Sequence, residues 1–334
     1  MRFADFYGNN NAKEQLSGAF DNARVPHALL IDGSEGSGKR TLARIIAQAA
    51  VCEGGGELPC GHCRQCINAM GGNHPDITTY SGTGGARSFS VDTVRHVRLD
   101  AYVTPNDAAK KVYILMDVHN MTEQAQNALL KILEEPPSYV MFILTCCGRS
   151  RVLETVQSRC AIVTLGPVTE GETILALMSE NPALDRLSAL KAARLSGGII
   201  GRAKKGLEEG SFSDAAALST RFAAALCGYD QYKFLRLSGS LEKDQGLLLA
   251  FIELMPLLFR DALAMKAGGQ AKLSGCAQEA ASLAAGLTRH QVYSLTQRSL
   301  EVGAAMERNA NKTLMLTNLF SQLWRCAHEI SAFG

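Results

Sequence analysis

The stretch 27–41, His27-Ala-Leu-Leu-Ile-Asp-Gly-Ser-Glu-Gly-Ser-Gly-Lys-Arg-Thr41, decides the fold class. Ala28 to Ile31 is an apolar run of strand length. It empties into a glycine-rich turn, and residues 41–50, Thr-Leu-Ala-Arg-Ile-Ile-Ala-Gln-Ala-Ala, follow with helical character. Strand, Gly-x-x-x-x-Gly-Lys and helix in that order form a phosphate cradle. Backbone N–H groups between Gly33 and Lys39 can point at phosphate oxygens, the helix N-terminus adds partial positive charge, and Lys39 adds a full one. Gly33, Gly36, Gly38, Lys39, Arg40 and Thr41 are the expected nucleotide contacts here. Position 40 normally carries a Ser or Thr hydroxyl that meets Mg²⁺. It holds Arg40 in this chain, and the helical direction of Thr41 points its hydroxyl elsewhere.

Working outward, Asn11 to Asn22 has helical spacing, with Leu16, Ala19 and Phe20 on one face. Downstream, Asp76 to Tyr80, Lys111 to Asp117, Tyr139 to Thr145 and Ala161 to Leu165 read as further strands, separated by a polar Gly/Ser loop through Ser88 and helices at Val91–Tyr102 and Glu123–Glu135. Thr122 is a natural N-cap for the second of these. Ala125, Ala128, Leu129, Ile132 and Leu133 make its apolar stripe, and Pro136-Pro137 stops it. Strands that are continuous apolar runs alternating with helices predict an α/β fold with a parallel sheet covered on both faces. Strand signals end near 167. Short helices are expected over 170–178, 184–195 and 202–208, and an all-helical stretch from Ser213 toward Phe333, broken near Gly268-Gly269 and Gly275.

A chain of 334 residues, 46% apolar and 20% charged, has the make-up of a globular protein with two or three domains. Its net charge of +2 supplies no global basic field for nucleic acid. The absence of an aromatic-basic face in the sequence likewise disfavours a zinc-dependent nucleic-acid binder. No apolar run reaches the roughly 18 residues of a membrane span, and Met1-Arg-Phe-Ala-Asp-Phe-Tyr-Gly8 lacks a signal-peptide core. The expectation is a cytoplasmic protein with reduced thiols and no membrane partner.

Reduced thiols make the spacing of Cys52, Cys60, Cys63 and Cys66 informative. Four thiolates as Cys-x7-Cys-x2-Cys-x2-Cys, with glycines at 54–56 and 61 to curl the loop, can close a tetrahedral structural zinc site with no open position. His62 and His74 are read as spectators, and the remaining six cysteines as packing residues. Arg159, in Ser158-Arg-Cys160, offers a rigid fork of donors suited to phosphate or to an ion pair. Arg202 follows Gly201 at a helix start and has the same choice. The strand 111–117 should end in the carboxylates that hold metal and activate water. It ends Met116-Asp117, with one acidic residue.

Taken in order, His27-Ala-Leu-Leu, the phosphate loop, the four-cysteine insertion, His74-Pro-Asp, Lys111-Val-Tyr-Ile-Leu, Asn127-Ala-Leu-Leu-Lys-Ile-Leu-Glu-Glu-Pro-Pro and Ser158-Arg-Cys resemble the bacterial DNA polymerase III clamp-loader family of the AAA+ superfamily. The resemblance covers about residues 1–208. It implies an AAA+ P-loop domain over 1–167 with its zinc module at about 52–66, a helical lid over 168–209, and a helical collar over 210–334 that joins five subunits. It makes Arg159 an arginine finger for a neighbour's ATP, Arg202 the lid arginine called sensor 2, and Thr145 the polar residue called sensor 1. Motor subunits carry Gly-Lys-Thr and Asp-Glu where this chain has Gly-Lys-Arg and Met-Asp, so the implied role is a ring member that need not hydrolyse ATP. ATP or ADP could still bind. Implied partners are the gamma/tau motor subunits and the delta subunit in a hetero-pentamer, with the sliding clamp and primer-template DNA reached through the assembled complex. Lys110, Lys111, Arg149 and Arg151 are the basic residues considered for DNA contact. The competing expectation is an active gamma/tau-like motor ATPase using Thr41 and Asp117.

Overall fold

The computed structural model describes residues 1–81, 89–271, 273–306 and 312–328. The Gly/Ser loop expected through residue 88 and the end of the helical stretch near 333 lie outside them. Two compact units are present, 1–172 and 173–334.

The first unit is built on five parallel strands, β1 (Ala28–Gly33), β2 (Ile77–Ser81), β3 (Lys111–Met116), β4 (Val140–Cys146) and β5 (Ala161–Leu165), in the order β2-β3-β4-β1-β5. β3 and β4 are buried along their whole length. Such strands need apolar side chains on both faces, which is why they read as unbroken apolar runs. One face is covered by α1 (Asn10–Asp21) and α2 (Lys39–Val51), whose Leu16, Leu42 and Ile46 pack with Leu29, Ile31, Ile114 and Ile143. The other is covered by α4 (Val91–Ala101) and α5 (Glu123–Glu134), whose Val94, Val97, Leu129 and Ile132 meet Tyr113, Leu115, Phe142 and Leu144. The alternation of strand residues between the two clusters follows from the two-residue period of a strand. A short α3 (Arg64–Met70) follows the cysteine loop, and α6 (Glu154–Gln157) precedes β5.

Thr122 caps α5 as its sequence position suggested, its Oγ1 accepting from the Ala125 N–H at 3.2 Å. Family-motif residues that look generic in sequence turn out to be joints. The His27 ring bonds the Leu133 carbonyl at 3.0 Å, tying the start of β1 to the end of α5. Gln126 on α5 is buried and fully engaged: its amide N–H groups donate to the carbonyls of Met121 and Arg151, and its Oε1 accepts from the Leu153 N–H. Gln126 thereby seats the segment that leads to Arg159.

The second unit is helical in its described residues: α7 (Glu170–Glu180, beginning just ahead of it), α8 (Arg186–Leu195), α9 (Ile200–Glu208), α10 (Ser211–Cys227), α11 (Gln231–Leu235), α12 (Ser238–Lys243), α13 (Gln245–Lys266), α14 (Ala277–Gly286), α15 (Arg289–Met306) and α16 (Lys312–His328). Its core centres on Phe222, fully buried, with Phe234, Phe251, Phe259 and Phe320 at centroid distances of 5.2–6.2 Å. Edge-on and tilted aromatic pairs of this kind add to the area they bury. Leu177, Ala189, Leu195 and Ala203, from helices before residue 210, share the same cluster.

Candidate functional site

The phosphate loop sits at the carboxyl end of β1, where β1 pairs with β4 through Asp32 opposite Cys146 and with β5 through Gly33 opposite Leu165. Ligands of parallel sheets bind at such carboxyl edges. Gly36 and Gly38 have φ of 82° and 93°, a backbone region that side chains disfavour. A Cβ at Gly38 would also stand 3.1 Å from the Phe6 ring. Lys39 opens α2 and is buried, its ammonium donating to the Gly33 and Ser34 carbonyls at 2.8 Å each and lying 3.1 Å from Cys147 Sγ. An ammonium has three protons, and these three contacts use them all. A phosphate entering the loop has to displace at least one. Cys147, read from the sequence as a packing residue, is instead half-buried beside this lysine, because the carboxyl end of β4 delivers it there.

The metal side of the site is differently furnished. Met116 is buried at the end of β3, its sulfur 3.9 Å from Thr145 Oγ1. Thr145, also buried, accepts from the Asp117 backbone N–H at 2.9 Å. Asp117 is left-handed, at φ 60°, where the chain turns out of the strand. His119 lies close by, its Nδ1 accepting from the Cys147 N–H at 3.2 Å, and burial holds its pKa below the ordinary imidazole value. Asp117, His119 and Cys147 place ligand-type atoms within 4.8 Å of one another. Arg40 and Thr41 are exposed, and Arg40 lines with Arg44 a cavity of about 210 Å³ beside Thr79 and Ile114. Asp32 faces the same strand edge, paired with Arg149 at 3.3 Å and accepting from the Gly148 N–H.

Arg159 lies just beyond α6. Its guanidinium donates to Glu134 at the end of α5, to the Thr155 carbonyl at 2.7 Å and to Ser158 Oγ. The Ser-Arg-Cys and Leu-Glu-Glu-Pro-Pro motifs are thus joined by an ion pair, with about a third of the Arg159 side chain exposed. Arg202 belongs to the second unit, where it pairs with Glu253 at 2.6 Å. Of the basic residues considered for DNA, Lys111 is corrected: it is buried, bound to the Asp100 carboxylate and carbonyl at 3.0 Å each. Lys110 donates to the Ser138 carbonyl and Arg151 to that of Cys147.

The four cysteines converge. Cys52 and Cys63 sulfurs are 4.0 Å apart, those of Cys60 and Cys66 3.8 Å, and all four lie within 4.8 Å of one another. A tetrahedron of sulfurs about 2.3 Å from a central ion has edges of about 3.8 Å. The spacing therefore fits a metal and is far too long for disulfides, whose S–S bond is about 2.0 Å. Backbone N–H groups of Gly54, Cys60, Cys63 and Cys66 point at sulfurs of the cluster. Burial opposes ionisation of Cys63, but the N–H groups of Cys66 and Glu53 prevail and bring its pKa to about 6. Burial pushes Cys66 up to about 12. A cluster able to hold a metal is present.

His62 bonds the Cys60 carbonyl and is no ligand. His74 has a structural task that spacing could not reveal. Its Nε2 bonds Gln65 Oε1 at 2.9 Å and its Nδ1 accepts from the Asp76 N–H, so it latches α3 to the entry of β2. Asp76, fully buried, accepts from the backbone N–H groups of Asn106, Asp107 and Ala108 and from the Asn106 side chain. Burial alone would raise its pKa; these donors outweigh burial and lower it. Asp76→Asn is expected to cost about 1–3 kcal/mol at neutral pH. The carboxylate's contribution is complete above the unfolded value near 3.9 and fades as pH falls through the lower folded value. Chemical denaturation of both proteins across the acid range checks this, and the gap between them should close toward low pH.

A parallel sheet with a phosphate loop at the end of its β1 strand defines a P-loop nucleotide-binding fold. The family described as "DNA polymerase III, delta subunit" matches residues 8–169. DNA polymerase III subunit gamma of Buchnera aphidicola subsp. Acyrthosiphon pisum (strain APS) is 29% identical over 248 residues, 72% of this chain and 68% of that protein. Subunit delta' of Escherichia coli (strain K12) is 31% identical over 223 residues, 66% of each chain. Subunit delta' of Bacillus subtilis (strain 168) is 33% identical over 153 residues, 46% of each. The chain thus spans about two thirds of the first two relatives and less than half of the third. It belongs to the clamp-loader family of DNA polymerase III. No described helix is long and apolar enough to cross a membrane.

Proposed function

We propose that the chain is the delta-prime, or stator, subunit of a bacterial DNA polymerase III clamp loader. The observation that carries this reading is the metal side of the phosphate site. Where the motor subunits need a hydroxyl and a carboxylate, this chain has exposed Arg40 and buried Met116, the latter packed on Thr145. Mg²⁺ requires oxygen ligands, and neither residue supplies one. The loop of Gly33, Gly36, Gly38 and Lys39 can still take a nucleotide phosphate, with Thr145 beside it in the sensor 1 role and Arg202 in the sensor 2 role.

In this reading Arg159 acts on the ATP of a neighbouring subunit, leaving Glu134 for the nucleotide's phosphates. The partners are gamma/tau and delta in a hetero-pentamer that places the sliding clamp on primer-template DNA. Residues 168–209 serve as lid and 210–334 as collar. The four cysteines hold zinc, whose role is structural because all four positions are thiolate.

The test is ATP turnover by the isolated chain, beside nucleotide titrations with and without Mg²⁺. The expected result is no turnover, with any nucleotide affinity independent of Mg²⁺. Mg²⁺-dependent turnover abolished by Lys39→Ala would instead assign a gamma/tau-like motor, the reading favoured by the intact phosphate loop and by the Buchnera gamma relative.

A further inference from the structure

The corner between α10 and α11 carries a groove of about 780 Å³. Three cations line it: Arg221 from α10, and Lys233 and Arg236, one turn apart, from α11 and its C-cap. None has a carboxylate within 4.0 Å among the described residues. The one acid among the described residues that line the groove, Asp230, is committed to capping α11, accepting from the Lys233 N–H at 2.9 Å. Two tyrosines stand in the same wall, Tyr229 at 95% and Tyr232 at 73% exposure. Their hydroxyls make no hydrogen bond to described residues. Arg236 lies 5.9 Å from the Tyr232 ring centroid, which steadies one face of that ring.

Exposed tyrosines are a cost to a surface unless something covers them, and three cations without a carboxylate partner among the described residues ask for anions. The geometry points to a binding site for single-stranded nucleic acid in this groove. Phosphates along a single strand meet Arg221, Lys233 and Arg236, while unpaired bases stack on Tyr229 and Tyr232, the combination that sequence-tolerant single-strand binders use. A duplex keeps its bases stacked on one another and leaves the rings bare. An acidic peptide satisfies the cations but has no use for two flat aromatic faces. The site is independent of the ring position proposed above, because it needs neither the phosphate loop nor Arg159.

The experiment is fluorescence anisotropy of a labelled oligothymidylate with the full chain over a range of salt concentrations. Three variants are compared: Tyr229→Ala/Tyr232→Ala, Tyr229→Phe/Tyr232→Phe, and Arg221→Ala/Lys233→Ala/Arg236→Ala. The alanine pair is expected to bind at least about tenfold more weakly, and the phenylalanine pair to keep the affinity, since stacking uses the ring. Removing the three cations should flatten the logarithmic salt dependence by up to about 2, at about 0.7 per phosphate released. All five side chains are exposed, so the variants should melt as the parent does. Affinity unchanged in the alanine pair, or lost equally in the phenylalanine pair, overturns the proposal. So does an oligoglutamate peptide that binds the groove as tightly as the oligothymidylate, which would make its occupant an acidic protein segment.

Discussion

Replacing Arg159 by alanine in a reconstituted clamp-loader ring is expected to silence ATP turnover at one motor site while the ring still assembles. Arginine fingers in GTPases are worth about 10³–10⁵ in rate, so the affected site should contribute nothing measurable and the total should fall to the share of the others. The change cannot be blamed on unfolding. The Arg159–Glu134 pair has side chains one-third and about half exposed, and exposed pairs contribute less than about 1 kcal/mol. Arg159→Lys should rescue poorly, because a lysine keeps the charge and loses the planar fork that meets phosphate. Turnover equal to wild type in a ring carrying Arg159→Ala would sink the trans role.

The second large effect is expected at the cysteine cluster. Purified protein should hold close to one zinc per chain, and Cys66→Ser should lose the metal and at least about 4 kcal/mol of stability, since structural zinc sites in small modules are worth about 10 kcal/mol or more. Cys66 is fully buried, the third residue of α3, with its sulfur in the cluster. The damage should spread beyond the loop. Gln65, next in sequence, holds His74 and also donates to Glu53 and to the Asp107 carbonyl, and Arg64 pairs with Asp107 at 3.1 Å. Losing α3 therefore loosens the entry to β2. Substoichiometric zinc together with four freely titratable thiols in the folded protein would rule the site out.

Most of the first unit was legible because its signals are local. A strand buried on both faces is an apolar run, a phosphate loop is a contiguous pattern, and the Thr122 cap lies three residues from the N–H it accepts. The four cysteines lie within fifteen residues, so spacing alone brought them together. α3 is not legible in the sequence because it is seven residues long and is bounded by the cluster, with Cys63 as its N-cap and Cys66 inside it. Lys111 was misjudged because a lysine at a strand start looks solvated. Its burial depends on Asp100, at the far end of a different element.

The sequence by itself determined the sheet, the phosphate loop, the metal-competent cysteines and the loss of a hydroxyl at 40 and a carboxylate at 116, since each is a matter of residue type at a fixed local spacing. Tertiary structure decided what the charged groups touch. Lys39 reaches Cys147 across 108 residues, Arg159 reaches Glu134 across 25, and Arg202 reaches Glu253 across 51. Tertiary structure also gathered Arg221, Tyr229, Tyr232, Lys233 and Arg236 round one groove, which a near-neutral chain gave no reason to expect. Coulomb and hydrogen-bond partners are chosen by distance in space, and folding, not chain order, sets that distance.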